Sequence, residues 1–585
     1  MKVKSLLLMA FLWSSITAYS QDEHVLVVAP YDGTNITLDK VISGDTTSTG
    51  ERKDLNRIYQ LQRGGIYLMD AIVTANYSLK IIASPGTERP PIVYKGYDAN
   101  GIALNKFFSF VGHGNSYAFQ DIIFNAVNDK GEYDKYYHSG LSFAGDNTRL
   151  EVKACVFNGF QSGAIRMTGK DNTVYLSDNV WRNGNAKYHP FVGQQGTYGV
   201  FPMDTLVVTN NTFFNNHGYS LLHGTGSGLI DYAVVEHNTF YTSLVPVLEL
   251  REMINLKIRS NIFYGIAAYG DTELSRSGNW YVNDGESALS TMYFTEVSGN
   301  QLFSLKRMRE KDRKISVTNN AYFTPQAIED YNGKSYTDAT GGVTEVTGTV
   351  WMNEKVQAMF DNSTAYPYFD DSDNYNADPG FKSVMAGGKD VNDWVVDELA
   401  YACVEYRETM DDPTKGWGAC SSRRNIDEDL VGEYDILRIQ WPLVEGNHEI
   451  TNPNLLSAGH DGLPVGNLNW DSALRKEYVL PDGIGGMQGL GIGDFVKTAE
   501  QYSLSNYPNP ANNFTTISFN LPTKREVKIS IYNLLGQEVE VVAQDELSKG
   551  HHELNIDLSS YSVGLYLYVL ETENGTQVNR MIIQK

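Results

Sequence analysis

The sequence predicts an all-β protein: a parallel β-helix solenoid followed by a small β-sandwich. Three observations predict it. A strand unit ending in Asn-x-aromatic recurs through the middle of the chain, most recurrences are about one solenoid coil apart, and residues 501–585 carry short strands of period-2 alternation separated by glycines.

The repeat comprises Val174–Trp181 (VYLSDNVW), Leu206–Phe213 (LVVTNNTF), Ala233–Phe240 (AVVEHNTF), Leu256–Phe263 (LKIRSNIF) and Ile315–Tyr322 (ISVTNNAY). Glu151–Phe157 (EVKACVF) is a sixth copy with Cys155 in place of asparagine. The asparagines Asn179, Asn211, Asn238, Asn261 and Asn320 are separated by 32, 27, 23 and 59 residues. The first three gaps suit one coil each and the last suits two. Stacked coils would set asparagine over asparagine at one corner, where side-chain amides bond up the column, with the aromatics stacked inside. A β-sandwich would not explain why the asparagines keep register while the loops between them vary.

Before the repeat, Met1–Ser20 has Lys2 and Lys4, an apolar run Leu6–Trp13 and a small-x-small cleavage signal, Ala18-Tyr19-Ser20. The run is too short to span a bilayer, and no later segment has the ~20 apolar residues a transmembrane helix requires. Residues 1–20 therefore read as a signal peptide, 21–385 as the solenoid, 386–500 as an irregular extension and linker, and 501–585 as a separate module. Within the extension, Trp394, Val395, Leu399, Ala402 and Val404 have helical spacing over Val391–Met410, a candidate cover for the solenoid's open end. Asp461–Trp470 (DGLPVGNLNW) resembles a segment near the ends of some exported β-helix proteins, with no evident role.

Formal net charge is −23, with 70 acidic and 47 basic residues, which argues against nucleic acid or anionic lipid as a partner and, without a local basic patch, against an anionic substrate. Three cysteines do not make a disulfide framework. Cys155 reads as a buried small hydrophobe, and spacing leaves open whether Cys403 and Cys420 pair.

The asparagine repeat resembles the right-handed parallel β-helix proteins of the pectate-lyase-like superfamily. The resemblance spans about Asp54 to Phe381, opening at Arg63-Gly64-Gly65-Ile66-Tyr67 and Leu79–Ala83 and closing at Asp378-Pro379-Gly380-Phe381. It implies the fold and an extended-glycan habit, not a reaction. In the last module, Tyr507-Pro508-Asn509-Pro510, Ile531–Gln537 (IYNLLGQ), Gly564-Leu565-Tyr566 and the tail Arg580–Lys585 resemble the sorting domain of the type IX secretion system. That implies recognition by the type IX machinery and delivery of a secreted or outer cell-surface protein.

Candidate chemistry sits on an outward strand row. Aligning Ile165 with Leu222 and Leu248 puts Arg166, His223 and Glu249 in one column, with Arg251 on the same face and Val200 and Phe201 in the intervening coil. Arginine, histidine and carboxylate are the groups that neutralise a uronate, abstract its C5 proton and protonate the leaving oxygen, so a polysaccharide lyase is the first enzymatic reading. Lys187 and His189 could overhang that face. The same residues also fit a plain surface charge ladder, and the protein then fits a glycan-binding or structural surface component. Gly112-His113-Gly114 resembles one polygalacturonase motif, but the partner motifs are missing and a turn explains it. The calcium-lyase aspartate cluster is missing too. Among Asp370, Asp371, Asp373 and Asp378, the pair Asp371 and Asp373 is the weak candidate for Ca2+, although EF-hand spacing fails.

Overall fold

The computed structural model describes residues 24–584, leaving out 99–100, 127–139, 161–162, 185–191, 195–202, 224–227, 271–290, 298–305, 338–340, 410–442, 444–447, 472–473, 475–503, 534–537, 573–574 and some single positions. The signal segment, Lys187, His189, Val200, Phe201 and Cys420 lie outside the described residues. Contacts divide the chain into two units, Met1–Arg475 and Lys476–Lys585.

The first unit is a parallel β-helix. Among the described residues each full coil contributes one strand to each of three all-parallel sheets, of 11, 10 and 8 strands. A middle coil runs Ile230–Glu236 in the first sheet, Thr239–Ser243 in the second and Leu248–Leu250 in the third, and the next begins at Met253–Arg259. Alternation decides which side chains enter the core: in Asn172–Ser177, Val174 and Leu176 are buried while Thr173, Tyr175 and Ser177 are not. Stacked apolar residues, from Tyr59 and Leu61 through Val152, Val174, Val208, Val235 and Ile258 to Ile315 and Val317, make one continuous core.

The corner between the first and second sheets carries the predicted asparagine column. Each Oδ1 accepts the backbone N–H of the asparagine one coil earlier: Asn179 to Asn211 at 3.0 Å, Asn211 to Asn238 at 2.9 Å, Asn238 to Asn261 at 2.9 Å and Asn261 to Asn320 at 3.0 Å. Cys155 takes the last acceptor, its N–H bonding Asn179 Oδ1 at 2.9 Å. The file extends one coil beyond the sequence repeat, to Asn374, which accepts Asn320 N–H at 3.1 Å. The residue before each asparagine turns the corner in left-handed backbone: Asp178, Asn210, His237, Ser260 and Asn319 have φ between 51° and 60°. Inside, Phe157, Trp181, Phe213, Phe240 and Phe263 stack with successive centroids 4.2, 5.7, 4.9 and 4.9 Å apart. A second file, Asn125, Asn158, Asn183 and Asn215, is joined by side-chain bonds of 3.0, 2.9 and 3.0 Å near the next corner.

Both ends of the stack are covered. The helix Leu38–Gly44 buries Leu38 and Ile42 in the core beside the first coil. At the other end Trp351 stacks on Tyr322 at 4.5 Å, and the helix Glu354–Asp361, capped by Asn353, adds Val356 and Phe360. The predicted helix forms as Val391–Thr409, but it does not close an end. It lies on the outer face of the second sheet, where Trp394 and Val395 meet the outward aromatics Phe214 and Tyr241, and Val396, Leu399 and Cys403 meet Tyr219, Leu244 and Val245. Those outward side chains are apolar and need a cover, which is the physical reason for the helix's place. Leu399→Ala should lower stability by about 2 kcal/mol and speed proteolytic cleavage within Val391–Thr409, read by limited digestion.

Among its described residues the second unit holds seven antiparallel strands in two sheets. Ser505–Tyr507, Phe514–Leu521 and Gly550–Asp557 form one; Glu538–Leu547, Arg525–Asn533, Gly564–Thr572 and Gly575–Ile583 form the other. Their inner faces share a core of Ile517, Phe519, Ile529, Ile531, Ile556, Tyr568, Leu570 and Met581. The basic tail is not a loose extension, since Arg580–Ile583 belongs to the last strand.

Candidate functional site

The third sheet is built from strands of two or three residues, and in Phe108–Phe110, Leu141–Phe143 and Ile165–Met167 one less buried residue stands between two buried ones. Pairing register places Thr74, Ser109, Ser142, Arg166, Gly193, Leu222, Glu249 and Tyr293 in one row. Arg166 is exposed between the buried Ile165 and Met167. His223 is not in this row. It pairs with Gln194 on one side and Leu250 on the other, one position beyond the expected column. Two adjacent leucines explain the slip. Leu221 aligns with Leu248 and is buried, whereas the expected alignment used Leu222, and either leucine satisfies an apolar pattern. The intervening coil is also corrected, since Val192–Gln194 supplies the strand and Gly193 the row position.

Arg166 and Glu249 stand three coils apart, a separation of ~14 Å at ordinary strand spacing. Arg251 shares the face of Glu249 as expected: its Nε–H donates to Glu249 Oε1 at 2.7 Å. Glu249 is only 5% exposed, and burial raises its carboxyl above the usual carboxylate range while Arg251 partly opposes the rise. Lys106, missed in the sequence reading, stands close enough to Arg166 that burial and then the guanidinium's charge lower its ammonium. Among the described residues the face thus carries Lys106 close to Arg166 and, three coils on, Arg251 paired with the sheltered Glu249 carboxyl, on a strongly acidic protein.

The other expected sites resolve differently. His113 sits in a turn, its Nδ1 accepting Asp146 N–H at 3.1 Å. Of the aspartates near the closing coil, Asp370 and Asp378 serve local turns, accepting Ser372 N–H and Gly380 N–H, and Asp371 accepts Gln357 Nε2 from the helix Glu354–Asp361. Among the described residues Asp371 and Asp373 belong to no group of three possible ligands; that description fits Glu236, His237 and His460 instead.

Glu236 and His237 lie beneath the segment Ala458–Trp470, which contains His460 and the Asp461–Trp470 motif, whose role is now visible. It is a strap laid along the outside of the asparagine corner, bonding the turn residues of successive coils. Asn319 Nδ2 donates to Ala458 O at 3.1 Å, Gly466 N–H to Ser260 O at 2.8 Å, Leu468 N–H to Asn210 Oδ1 at 2.6 Å and Asn469 Nδ2 to Asp178 Oδ1 at 3.1 Å. Gly466, at φ +86°, has no room for a side chain, since a Cβ there would stand 2.5 Å from Ile262 Cδ1. Beside the strap His448 is buried in an aromatic box, 5.4 Å from Phe214, 4.7 Å from Tyr241, 5.4 Å from Phe381 and 5.1 Å from Trp470. Burial alone pushes its imidazole down to about 3.

No helix among the described residues is long and apolar enough to cross a membrane. No curated protein matches the chain. Residues 505–584 match the family model described as the secretion system C-terminal sorting domain. Those residues are a type IX sorting domain that engages the type IX machinery, and the chain is an exported protein of the cell surface or medium.

Proposed function

We propose that the β-helix of this exported protein engages an extended anionic polysaccharide along the outer face of its third sheet. The observation that carries the reading is the pair of guanidinium positions, Arg166 in the outward row and Arg251 beside Glu249, three coils apart on one face. Guanidinium groups bind carboxylates or sulfates by paired charged hydrogen bonds, and a row of strands a sugar's length apart suits a long ligand better than a compact one. With a net charge of −23 the protein as a whole repels an anionic ligand, so attraction needs a local set of cations such as these.

A lyase reading of the same face rests on Glu249 rather than His223. A carboxyl raised by burial and set against an arginine has the character of a proton-transfer group beside a charge neutraliser. A lyase releases an unsaturated product with new reducing ends; a binding protein releases neither.

Affinity electrophoresis through gels containing pectate, alginate or a sulfated glycan should retard the protein, with xylan as the neutral control. The retardation should fall steeply between about 0.05 and 0.5 M salt, because the contacts are charged and partly exposed. Equal mobility in every gel would remove the reading. Ultraviolet absorbance and reducing ends followed on the retarding glycan separate cleavage from capture.

A further inference from the structure

We propose that Glu236, His237, His460 and Asp461 form a binding site for one divalent transition-metal ion of the zinc class, which fastens the strap to the asparagine corner. Glu236 ends a first-sheet strand, His237 is the left-handed corner residue next to Asn238, and His460 and Asp461 come from the strap more than 220 residues later, as the 224-residue span from His237 to Asp461 shows.

Both imidazoles are held by Nδ1 and turn Nε2 toward the carboxylates. His237 Nδ1 is 3.3 Å from Gly466 O, and His460 Nδ1 is 2.8 Å from Ser260 Oγ, which also accepts the His460 backbone N–H at 2.9 Å. Second-shell bonding of one nitrogen is how a protein fixes the tautomer and aim of a metal-binding histidine. The remaining atoms converge: His237 Nε2 lies 3.1 Å from Asp461 Oδ2, His460 Nε2 lies 3.8 Å from Glu236 Oε2, and one ligand atom from each of Glu236, His237 and His460 falls within 4.8 Å of the others. Tetrahedral ligands at ~2.0–2.1 Å from zinc stand about 3.3 Å from one another, so little movement is needed.

Burial and charge favour the same occupant. The side chains of Glu236 and His237 are 3% and 1% exposed, and those of His460 and Asp461 are 21% and 20% exposed, which leaves a way in from solvent. Arg259, the register partner of Glu236, donates from Nε to Oε2 at 2.5 Å and orients that carboxylate, whose other lone pairs can face the ion. Two imidazoles with two carboxylates suit zinc, cobalt or nickel; calcium takes oxygen ligands.

The test uses the mature full-length protein, stripped with a chelator and titrated with ZnCl2, CoCl2 and CaCl2 by calorimetry. Zinc and cobalt should each bind with one equivalent at micromolar affinity or tighter. Bound cobalt should show the intense visible bands of tetrahedral coordination, and zinc should raise the thermal midpoint and slow proteolysis of the strap. His460→Ala and the near-isosteric Asp461→Asn should each weaken binding at least tenfold and abolish the midpoint shift. Circular dichroism of the metal-free variants checks that each is folded, and Asp461→Asn carries the comparison if His460→Ala is not. Binding of less than half an equivalent, an unchanged affinity in folded variants, an octahedral cobalt spectrum or binding of calcium alone would overturn the proposal.

Discussion

Replacing Asn238 by alanine should destabilise the β-helix by about 3–5 kcal/mol, a large part of the 5–15 kcal/mol that ordinarily separates folded from unfolded protein. Its side chain is fully buried in the middle of the ladder. Its Oδ1 accepts both the backbone and side-chain N–H of Asn211 at 2.9 Å, and its Nδ2 donates to Val208 O at 2.9 Å, Glu236 O at 3.0 Å and Asn261 Oδ1 at 2.9 Å. Some of these partners keep a second bond, since Glu236 O still accepts Asn210 N–H and Asn261 Oδ1 still accepts the backbone of residue 238. The Asn211 backbone N–H loses its acceptor in a dry interior and the Val208 carbonyl loses one donor, and an unmade bond of this kind costs about 1–3 kcal/mol. Asn374→Ala, at the half-exposed end of the same file, should cost only about 1 kcal/mol because water replaces the lost contacts. Urea midpoints for the two variants at unchanged slope measure the difference; equal losses would mean that the ladder's interior is not where its stabilisation lies.

Stability should also fall in acid because of His448. Unfolding returns its imidazole to an ordinary value near 6.5, whereas the folded box holds it at about 3. Between those limits the unfolded chain binds the extra proton, so stability is full above about pH 6.5 and declines as pH falls toward 3. At 1.36 kcal/mol per unit the loss from pH 7 to 4.5 is about 2.5 kcal/mol, and it continues below that. Among the described residues neither ring nitrogen has a hydrogen-bond partner, so His448→Leu removes two buried polar atoms along with the titration. The variant should match or exceed the parent at pH 7 and lose about 2.5 kcal/mol less than the parent between pH 7 and 4.5. Parallel pH profiles of the urea midpoint for parent and variant would exclude His448 as the source.

The sequence made the corner of the solenoid legible because a single residue type recurs where only its chemistry fits. An asparagine amide both donates and accepts, so each ladder position leaves the same letter in the chain. The aromatics two residues on are equally visible because they fill one column of the core. Asn374 escaped notice because its coil keeps only two-residue strands, Phe369–Asp370 and Tyr375–Asn376, with too little pattern around it. The sorting module was readable for a similar reason: its long strands alternate cleanly, as in Phe514–Leu521.

The candidate face was harder to read. Third-sheet strands are three residues or fewer, and a three-residue strand carries one outward letter, so register rests on neighbours. Leu221-Leu222 gave two equivalent registers, and Val192-Gly193-Gln194 has no branched residue on its outward position to mark a strand. The ligand-like cluster was hidden by distance, since Glu236 and His237 meet His460 and Asp461 only once the strap is laid down. A histidine at the left-handed position, where Asp178, Asn210 and Asn319 stand in other coils, was its one local sign.

The most direct test of the proposed glycan-binding face is the dissociation constant of Arg166→Ala/Arg251→Ala for the anionic glycan that retards the parent most. Arg166 is exposed, but removing Arg251 leaves the buried Glu249 carboxyl without its partner, so the variant's thermal midpoint should fall by several degrees, and binding is read well below that midpoint with circular dichroism checking the fold. The account predicts at least a tenfold weaker constant and a shallower salt dependence. An unchanged constant in a fully folded variant would place glycan recognition elsewhere on the protein and contradict it.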